Sequence, residues 1–173
     1  VENKKNFNIF KYRNFYNGGG VAIGDINNDG LQDIYLTGNM EPNRLYLNKG
    51  NMQFEDISEA AGVLGNKPWS TGVVMVDINN DGLVDVLVAG SQEIRLLKGQ
   101  MDSVFGLEQN SRTIIEFEDL APRDLLLVDF DNDGHLDLAV GGSSETGAGV
   151  RLFHNVGGGN FSVTNHLLPD VPS

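Results

Sequence analysis

A 19-residue segment occurs three times in the chain at a constant spacing, and this repeat constrains the fold more than any other feature. The copies are GVAIGDINNDGLQDIYLTG at 20–38, GVVMVDINNDGLVDVLVAG at 72–90 and DLLLVDFDNDGHLDLAVGG at 124–142. They align without gaps, and their leading aspartates stand 52 residues apart. A period of this length indicates that each copy is one supersecondary unit of a repeat architecture.

Each copy has the pattern of a strand, a loop and a returning strand. Short apolar runs rich in aliphatic and β-branched residues flank every loop, at 21–23 and 34–36, 73–76 and 86–88, and 125–128 and 138–140. Runs this short, bounded by Gly and Asp, favour buried strands over helices. Their continuous apolarity predicts burial on both faces.

Two further strands follow the returning strand. They are expected at 43–48 and 52–57 in the first unit and at 150–155 and 160–163 in the third. The second unit has a third strand at 93–97, but residues 98–111 form a loop that departs from the pattern. Its fourth strand therefore stays open, either near Phe105 or at 113–117.

Four short antiparallel strands in about 50 residues are typical of a propeller blade. The sequence thus predicts an all-β chain of three four-stranded antiparallel blades, part of a larger β-propeller. We expect a lead-in at 1–18 with an outer strand at 12–16, then blade 1 at 19–70, blade 2 at 71–122 and blade 3 at 123–173. A short helical turn is expected at 58–61.

The three loops share the pattern D-x-[DN]-x-D-G-x-x-D, which repeats oxygen-bearing side chains at positions 1, 3, 5 and 9. Position 6 is glycine, which tolerates the positive φ of a sharp turn, and position 7 offers its backbone carbonyl. The predicted ligands are Asp25, Asn27, Asp29, Leu31 and Asp33 in loop 1, Asp77, Asn79, Asp81, Leu83 and Asp85 in loop 2, and Asp129, Asp131, Asp133, His135 and Asp137 in loop 3. Oxygen ligands in this number suit Ca²⁺, with Mg²⁺ as second choice.

The charge distribution supports about three bound calcium ions, one in each loop. The formal net charge is −12, and ten of the 24 acidic residues lie in the three loops. Carboxylates packed this closely repel one another unless a cation neutralises them. Asp, Asn and Gly also favour turns without any metal, but three copies of the full pattern favour the metal site. An EF-hand is excluded because its acidic position 12 is here Leu36, Val88 or Val140.

These loops, with the continuation NRLYLNKGNMQFEDISEAAGV at 43–63, resemble the FG-GAP/VCBS repeats of integrin α-like propellers. The nearest resemblance is to bacterial secreted proteins that carry VCBS repeats with an ASPIC/UnbV-type module. It implies that each loop joins the two inner strands of its blade and binds calcium, and that the chain is extracellular, secreted or on a cell surface, in a bacterium. Three blades cannot close a ring, since closed propellers need about 4–8. We therefore expect further blades, in the same chain or in another copy, with the chain as a fragment favoured.

The remaining composition excludes several classes. There is no cysteine, so disulfides, Cys-ligated zinc and a thiol nucleophile are absent. The acidic surface should repel nucleic acid, and no run of 18 apolar residues predicts a membrane span. The histidines show no catalytic spacing; His135 is expected to face solvent beside its loop and His154 to be an ordinary strand residue.

The sequence therefore favours a non-enzymatic, calcium-binding extracellular scaffold that binds a protein or glycan in adhesion or surface assembly. Two alternatives stay open. One is a non-catalytic accessory propeller of a secreted polysaccharide-acting enzyme, which a pocket of aromatic residues with two convergent acids would favour. The other is a purely structural subunit of a larger surface complex, which a large apolar edge on blades 1 and 3 would favour.

Overall fold

The computed structural model describes residues 19–39, 41–65, 70–100, 111–144 and 147–164. In these ranges the regular structure is all β, in twelve strands. The strands are β1 (Val21–Gly24), β2 (Asp33–Leu36), β3 (Arg44–Asn48), β4 (Phe54–Asp56), β5 (Val73–Val76), β6 (Asp85–Ala89), β7 (Glu93–Leu97), β8 (Ser111–Glu116), β9 (Ala121–Val128), β10 (Asp137–Ser144), β11 (Gly147–Asn155) and β12 (Phe161–Val163).

The strands form three four-stranded antiparallel sheets, each made of four consecutive strands that pair in chain order. Sheet 1 holds β1–β4, sheet 2 holds β5–β8 and sheet 3 holds β9–β12. The all-β fold of three four-stranded blades is confirmed. The first strand of sheet 3 begins at Ala121, two residues before the expected start of blade 3.

The doubtful fourth strand of the second blade is β8, which agrees with the alternative at 113–117. Phe105, the other alternative, lies outside the described residues, as do the expected outer strand at 12–16 and the end of blade 3 after 164. Residues 58–61 form hydrogen-bonded turns, with the N–H of Ala61 donating to the carbonyl of Ile57 at 2.8 Å, and no helix.

The sheets stack face to face with a separate apolar cluster in each gap. Alternation along β6 shows how: Val86 and Val88 belong to the cluster shared with sheet 1, and Leu87 and Ala89 to the cluster shared with sheet 3. All five residues of β6 are buried. Burial on both faces, expected from the continuous apolar runs, therefore holds for the middle sheet.

The outward faces of sheets 1 and 3 do not follow that expectation. On β1, Ala22 packs toward sheet 2, whereas Val21 and Ile23 on the other face are each 58% exposed. On β9, Leu126 and Val128 are likewise exposed. The stack thus ends in an apolar face on either side. Among the described residues there is no helix with the length and apolarity that a membrane crossing requires.

Candidate metal centres

Each acidic loop joins the first two strands of its sheet. Loop 1 spans 25–33 between β1 and β2, loop 2 spans 77–85 between β5 and β6, and loop 3 spans 129–137 between β9 and β10. Position 9 of each loop is also the first residue of the returning strand. The pairing of the two strands therefore fixes both ends of the loop.

The carboxylate at position 1 accepts hydrogen bonds from the backbone N–H groups of positions 5 and 6 of its own loop. In loop 1, Oδ1 of Asp25 accepts a hydrogen bond from the backbone N–H of Asp29 at 3.0 Å, and Oδ2 accepts one from Gly30 at 2.7 Å. In loop 2, Asp77 accepts the same two bonds from Asp81 and Gly82, at 3.0 and 2.7 Å. In loop 3, Asp129 accepts them from Asp133 and Gly134, at 3.2 and 3.1 Å. All three loops therefore have one shape.

Positions 3 and 5 tighten the turn through short-range bonds from side chain to backbone. Asn27 Oδ1 accepts from the N–H of Asp29 at 3.2 Å, and Asp29 Oδ1 accepts from Leu31 at 2.8 Å. The equivalent bonds occur in loop 2, to Asn79 and Asp81 at 2.9 and 3.0 Å, and in loop 3, to Asp131 and Asp133 at 3.2 and 2.8 Å. The side chains of positions 1, 3 and 5 thus all accept hydrogen bonds from the backbone of the same turn.

Two positions of each loop have a left-handed backbone. The expected glycine at position 6 has φ near +84° in Gly30 and Gly82 and +88° in Gly134. Position 4 is also left-handed, with φ of 56–60° in Asn28, Asn80 and Asn132. Asn is among the few non-glycine residues that visit this region routinely, which accounts for an asparagine at position 4 in every copy.

The carboxylate at position 9 is fully buried in all three loops, in Asp33, Asp85 and Asp137. Its Oδ2 accepts the N–H of position 2, at 2.9 Å from Ile26, 3.3 Å from Ile78 and 3.0 Å from Phe130. Its Oδ1 accepts an N–H from the third strand or the residues directly after it, at 2.8 Å from Asn48, 2.7 Å from Gly99 and 2.8 Å from Asn155. Position 9 therefore ties the start of the loop to the second and third strands of its sheet.

Burial raises the pKa of Asp85 to about 6, against the lowering effect of its two backbone hydrogen bonds, and the nearby carboxylates of Asp81 and Asp77 raise it further. Burial also raises the pKa of Asp33, with smaller contributions from Asp29 and Asp25. A cation in the loop would counter both effects, because it favours the charged form of every carboxylate around it.

The donor chemistry fits a hard divalent cation. Carboxylate and amide oxygens fill positions 1, 3, 5 and 9 of loops 1 and 2, and carboxylates fill all four in loop 3. In loop 3, one oxygen each from Asp129, Asp131 and Asp137 lie within 4.8 Å of one another. Calcium takes such oxygens in groups of 6–8. The position 7 carbonyls of Leu31, Leu83 and His135 remain predicted ligands; their N–H groups donate to position 5.

Two charged or titratable side chains beside the loops are not evident from the sequence pattern. Lys98 Nζ lies 3.3 Å from Asp81 Oδ2. His154 Nδ1 lies 3.2 Å from Asp131 Oδ2 and 3.1 Å from Asp137 Oδ1, so this histidine is more than an ordinary strand residue. Both follow the loop in the chain and reach it only through strand pairing. The two side chains could have been predicted only if the register between the second and third strands had been known.

Neighbouring loops also contact one another. Asn28 Nδ2 donates to the carbonyl of Gly82 at 3.2 Å, which links loops 1 and 2. Asn80 Nδ2 lies 3.4 Å from His135 Nδ1, and the buried Asn155 donates to the carbonyl of Ile78 at 3.1 Å, which links blades 2 and 3. The three loops therefore form a row along one edge of the stack.

Comparison with known proteins agrees with this architecture. Residues 25–88 match the family model described as FG-GAP-like repeat. They run from loop 1 to the returning strand of the second blade.

Three curated relatives share the name cartilage acidic protein 1. The protein from Xenopus tropicalis is 30% identical over 154 residues, which cover 83% of this chain and 23% of that protein. Those from Mus musculus and Homo sapiens are each 31% identical, over 122 and 125 residues, and cover 70% and 71% of this chain and 19% of each relative. The chain thus spans about a fifth of the length of these relatives. The chain thus contains an FG-GAP-like repeat at residues 25–88, and a third copy of the same loop follows at 129–137.

Proposed function

We propose that the chain is a calcium-binding extracellular β-propeller scaffold, without catalytic activity, that presents its surface to a protein or glycan partner in adhesion or surface assembly. The observation that carries this proposal is the threefold repetition of one loop geometry. In each copy the same backbone N–H groups donate to the carboxylates at positions 1, 5 and 9, and in loop 3 one oxygen each from Asp129, Asp131 and Asp137 lie within 4.8 Å of one another.

Electrostatics favours a cation in these loops. Loops 1 and 2 each hold three carboxylates and loop 3 holds four, in a chain of net charge −12. Each loop has one fully buried acid, and burial of a carboxylate costs free energy unless the charge is paired. Three calcium ions would halve the formal charge and offset the repulsion within each loop.

Bound ions would also stabilise the stack of blades, because the loops lie in a row. Asn28 bonds to loop 2, and Asn155 of the third sheet bonds to the carbonyl of Ile78 within loop 2. An ion that fixes one loop therefore fixes the partner atoms of the next blade. This arrangement suits a scaffold whose shape has to persist while its surface binds a partner.

We further propose that the two end faces of the stack are covered by additional propeller blades, in the same chain or in another copy. Val21 and Ile23 at one end and Leu126 and Val128 at the other are exposed. The equivalent residues of the middle sheet contribute to the two apolar clusters. A further sheet packed on either end would bury these exposed apolar side chains, as the neighbouring sheets bury those of the middle sheet.

An extracellular setting suits such a protein. Extracellular calcium sites bind at roughly 10⁻⁴–10⁻³ M, and the relatives carry cartilage in their name. The excess of acidic residues disfavours nucleic acid and anionic membranes as partners. The relatives are vertebrate proteins, so the bacterial source expected from the sequence stays a prediction.

One recess, of about 400 Å³, lies among the outer strands of sheets 2 and 3. Its aromatic rings, Phe117 and Phe153, are buried and pack edge to face at 5.8 Å, so they belong to the core. Glu116, Glu118 and Asp119 also line it, and Asp119 pairs with Arg151. Because neither buried ring is open to stack on a sugar, the scaffold is preferred to an accessory propeller of a polysaccharide-acting enzyme.

Thermal unfolding in millimolar calcium and in chelator tests the proposal. At ten times its dissociation constant, each ion adds about 1.4 kcal/mol of stability, so three add about 4 kcal/mol. For a chain of this size the melting temperature should rise by roughly 10 °C. Magnesium at the same concentration should give a smaller rise. Equal melting temperatures with calcium and with chelator would refute the proposal.

A single-loop variant locates the ions. Asp29→Ala should remove one calcium equivalent in calorimetry, because it deletes the position 5 ligand of loop 1. Glu59→Gln is the matched control, since it removes an exposed acid outside the loops and should leave the stoichiometry unchanged. Equal loss of calcium in both variants would indicate that the overall negative charge attracts calcium without a specific site in the loop.

A further inference from the structure

The three loops have the same backbone but differ at one neighbouring side chain. The backbone N–H that donates to Oδ1 of the buried position 9 acid belongs to Asn48, Gly99 or Asn155. Strand pairing gives the same alignment, since Ile34, Val86 and Leu138 stand opposite Tyr46, Leu97 and Phe153. The residue just before the donor, here named the third-strand position, is Leu47 in blade 1, Lys98 in blade 2 and His154 in blade 3.

Blade 1 has an uncharged side chain at the third-strand position. Leu47 is buried in the apolar cluster between sheets 1 and 2. Among the described residues, no ion pair involves Asp25, Asp29 or Asp33. Loop 1 therefore keeps its full charge of three carboxylates for a cation.

Blade 2 places a cation of its own beside the loop. Lys98 Nζ lies 3.3 Å from Oδ2 of Asp81, while Oδ1 of the same carboxylate accepts the N–H of Leu83 at 3.0 Å. Asp81 is the position 5 ligand, so the ammonium group neutralises one of the three carboxylates that calcium would use. Calcium has to displace this side chain or tolerate its charge.

Blade 3 places an imidazole beside the loop. His154 Nδ1 lies 3.2 Å from Asp131 Oδ2 and 3.1 Å from Asp137 Oδ1, and Nε2 lies 3.9 Å from Asp133 Oδ2. One ligand atom each from Asp131, Asp133 and His154 lie within 4.8 Å of one another. Imidazole with carboxylates suits zinc and related transition metals, whereas calcium takes oxygen ligands.

We propose that the third-strand position decides which cation each loop holds: Leu47 leaves loop 1 the tightest calcium site, Lys98 makes loop 2 the weakest, and His154 gives loop 3 a mixed nitrogen and oxygen site that takes zinc. This inference rests on the proposed function, because it presumes that the loops bind divalent cations. It adds that the three copies are functionally different sites despite their shared motif.

Calorimetric calcium titration of the chain and of Lys98→Leu tests the second loop. The substitution gives blade 2 the residue that blade 1 has, and Lys98 is half-exposed, so the fold should be unaffected. The weakest site should tighten about fivefold, as expected for removing one positive charge about 5 Å from a divalent ion in a water-like medium with physiological salt. Lys49→Leu is the matched control, because Lys49 is about equally exposed but pairs with Glu55, which is not a loop residue.

Zinc titration of the metal-free chain and of His154→Leu tests the third loop. The chain should bind one zinc ion tightly, and the variant should bind it at least about tenfold more weakly, as for the loss of a metal ligand or its support. Calcium binding to loop 1 should persist, which reports that the variant is folded. Ser162→Ala is the control, since Ser162 stands opposite His154 on the paired strand and offers no imidazole.

The outcomes separate the inference from the function on which it rests. Three calcium sites of equal affinity, unchanged by Lys98→Leu, together with the same zinc affinity in His154→Leu, would overturn the inference and leave calcium binding intact. No calcium binding by the chain or by Lys98→Leu would overturn both.

Discussion

The inner and outer halves of the blades differ in how closely they repeat. In the inner half, the first two strands and their acidic loop, the loop keeps the same length and the same hydrogen bonds in all three copies. The outer half, the third and fourth strands, does not. Residues 49–53 connect β3 to β4, whereas residues 98–110 connect β7 to β8, and β11 has nine residues where β3 and β7 have five. Sequence repetition is therefore strict only where several constraints meet.

Those constraints are physical contacts. The inner strands pack against neighbouring sheets, and their loops contact the loops of the next blade. The outermost strand has one paired neighbour, and all three residues of β4 are exposed. A substitution on an inner strand at a face that packs against a neighbouring sheet should thus disturb more interactions than one on the outermost strand.

The largest difference is expected between Leu87→Ala and Val163→Ala. Leu87 is fully buried in β6, so its truncation leaves a cavity and should cost about 2–5 kcal/mol. Val163 on the outermost strand of sheet 3 is 67% exposed, so its truncation should cost under about 0.5 kcal/mol. Denaturant midpoints of the two variants measure both values. Equal losses of stability would contradict the division into inner and outer halves.

The same division explains how much of the fold the sequence predicts. The six inner strands follow from short apolar runs at a fixed period, because burial on the faces of stacked sheets leaves a clear signal. The extension of β10 and β11 does not follow, since residues 141–149 are rich in Gly and Ser. Pairing such as Ser144 with Gly147 forms the hairpin regardless of low strand propensity.

The candidate site was also predicted unevenly. The repeated motif names the loop residues because each acts within nine positions of the chain. Lys98 and His154 enter from another strand, and their approach to Asp81 and Asp131 depends on the register between strands. The motif holds no information about that register in the second blade, where the turn after the third strand departs from the pattern.

An intermediate effect is expected where the inner half depends on backbone conformation and not on burial. Gly82 has φ of +84° and open space around its Cβ position, so Gly82→Ala costs only the strain of a left-handed residue, about 1–2 kcal/mol. Gly149 on β11 needs no positive φ and has room for a Cβ, so Gly149→Ala should be neutral or stabilising by up to about 1 kcal/mol. Thermal unfolding in chelator separates this strain from any change in metal binding. Destabilisation by Gly149→Ala as large as by Gly82→Ala would contradict the assignment of strain to the loop.

The smallest effect is expected from the contact between neighbouring loops. Asn28 and Asn132 share a left-handed φ, but of these two only Asn28 bonds to another loop within the described part of the chain, donating to the carbonyl of Gly82 at 3.2 Å. Glycine also adopts the left-handed φ, so neither substitution strains the loop. Each substitution adds the same conformational entropy to the unfolded chain, so this contribution cancels when the two variants are compared. Asn28→Gly should therefore cost about 0.5 kcal/mol more than Asn132→Gly, the low end for one exposed hydrogen bond. Equal values in a denaturant series would show that strict repetition of the inner half comes from the geometry within each loop, since the contact between loops would then contribute no stability.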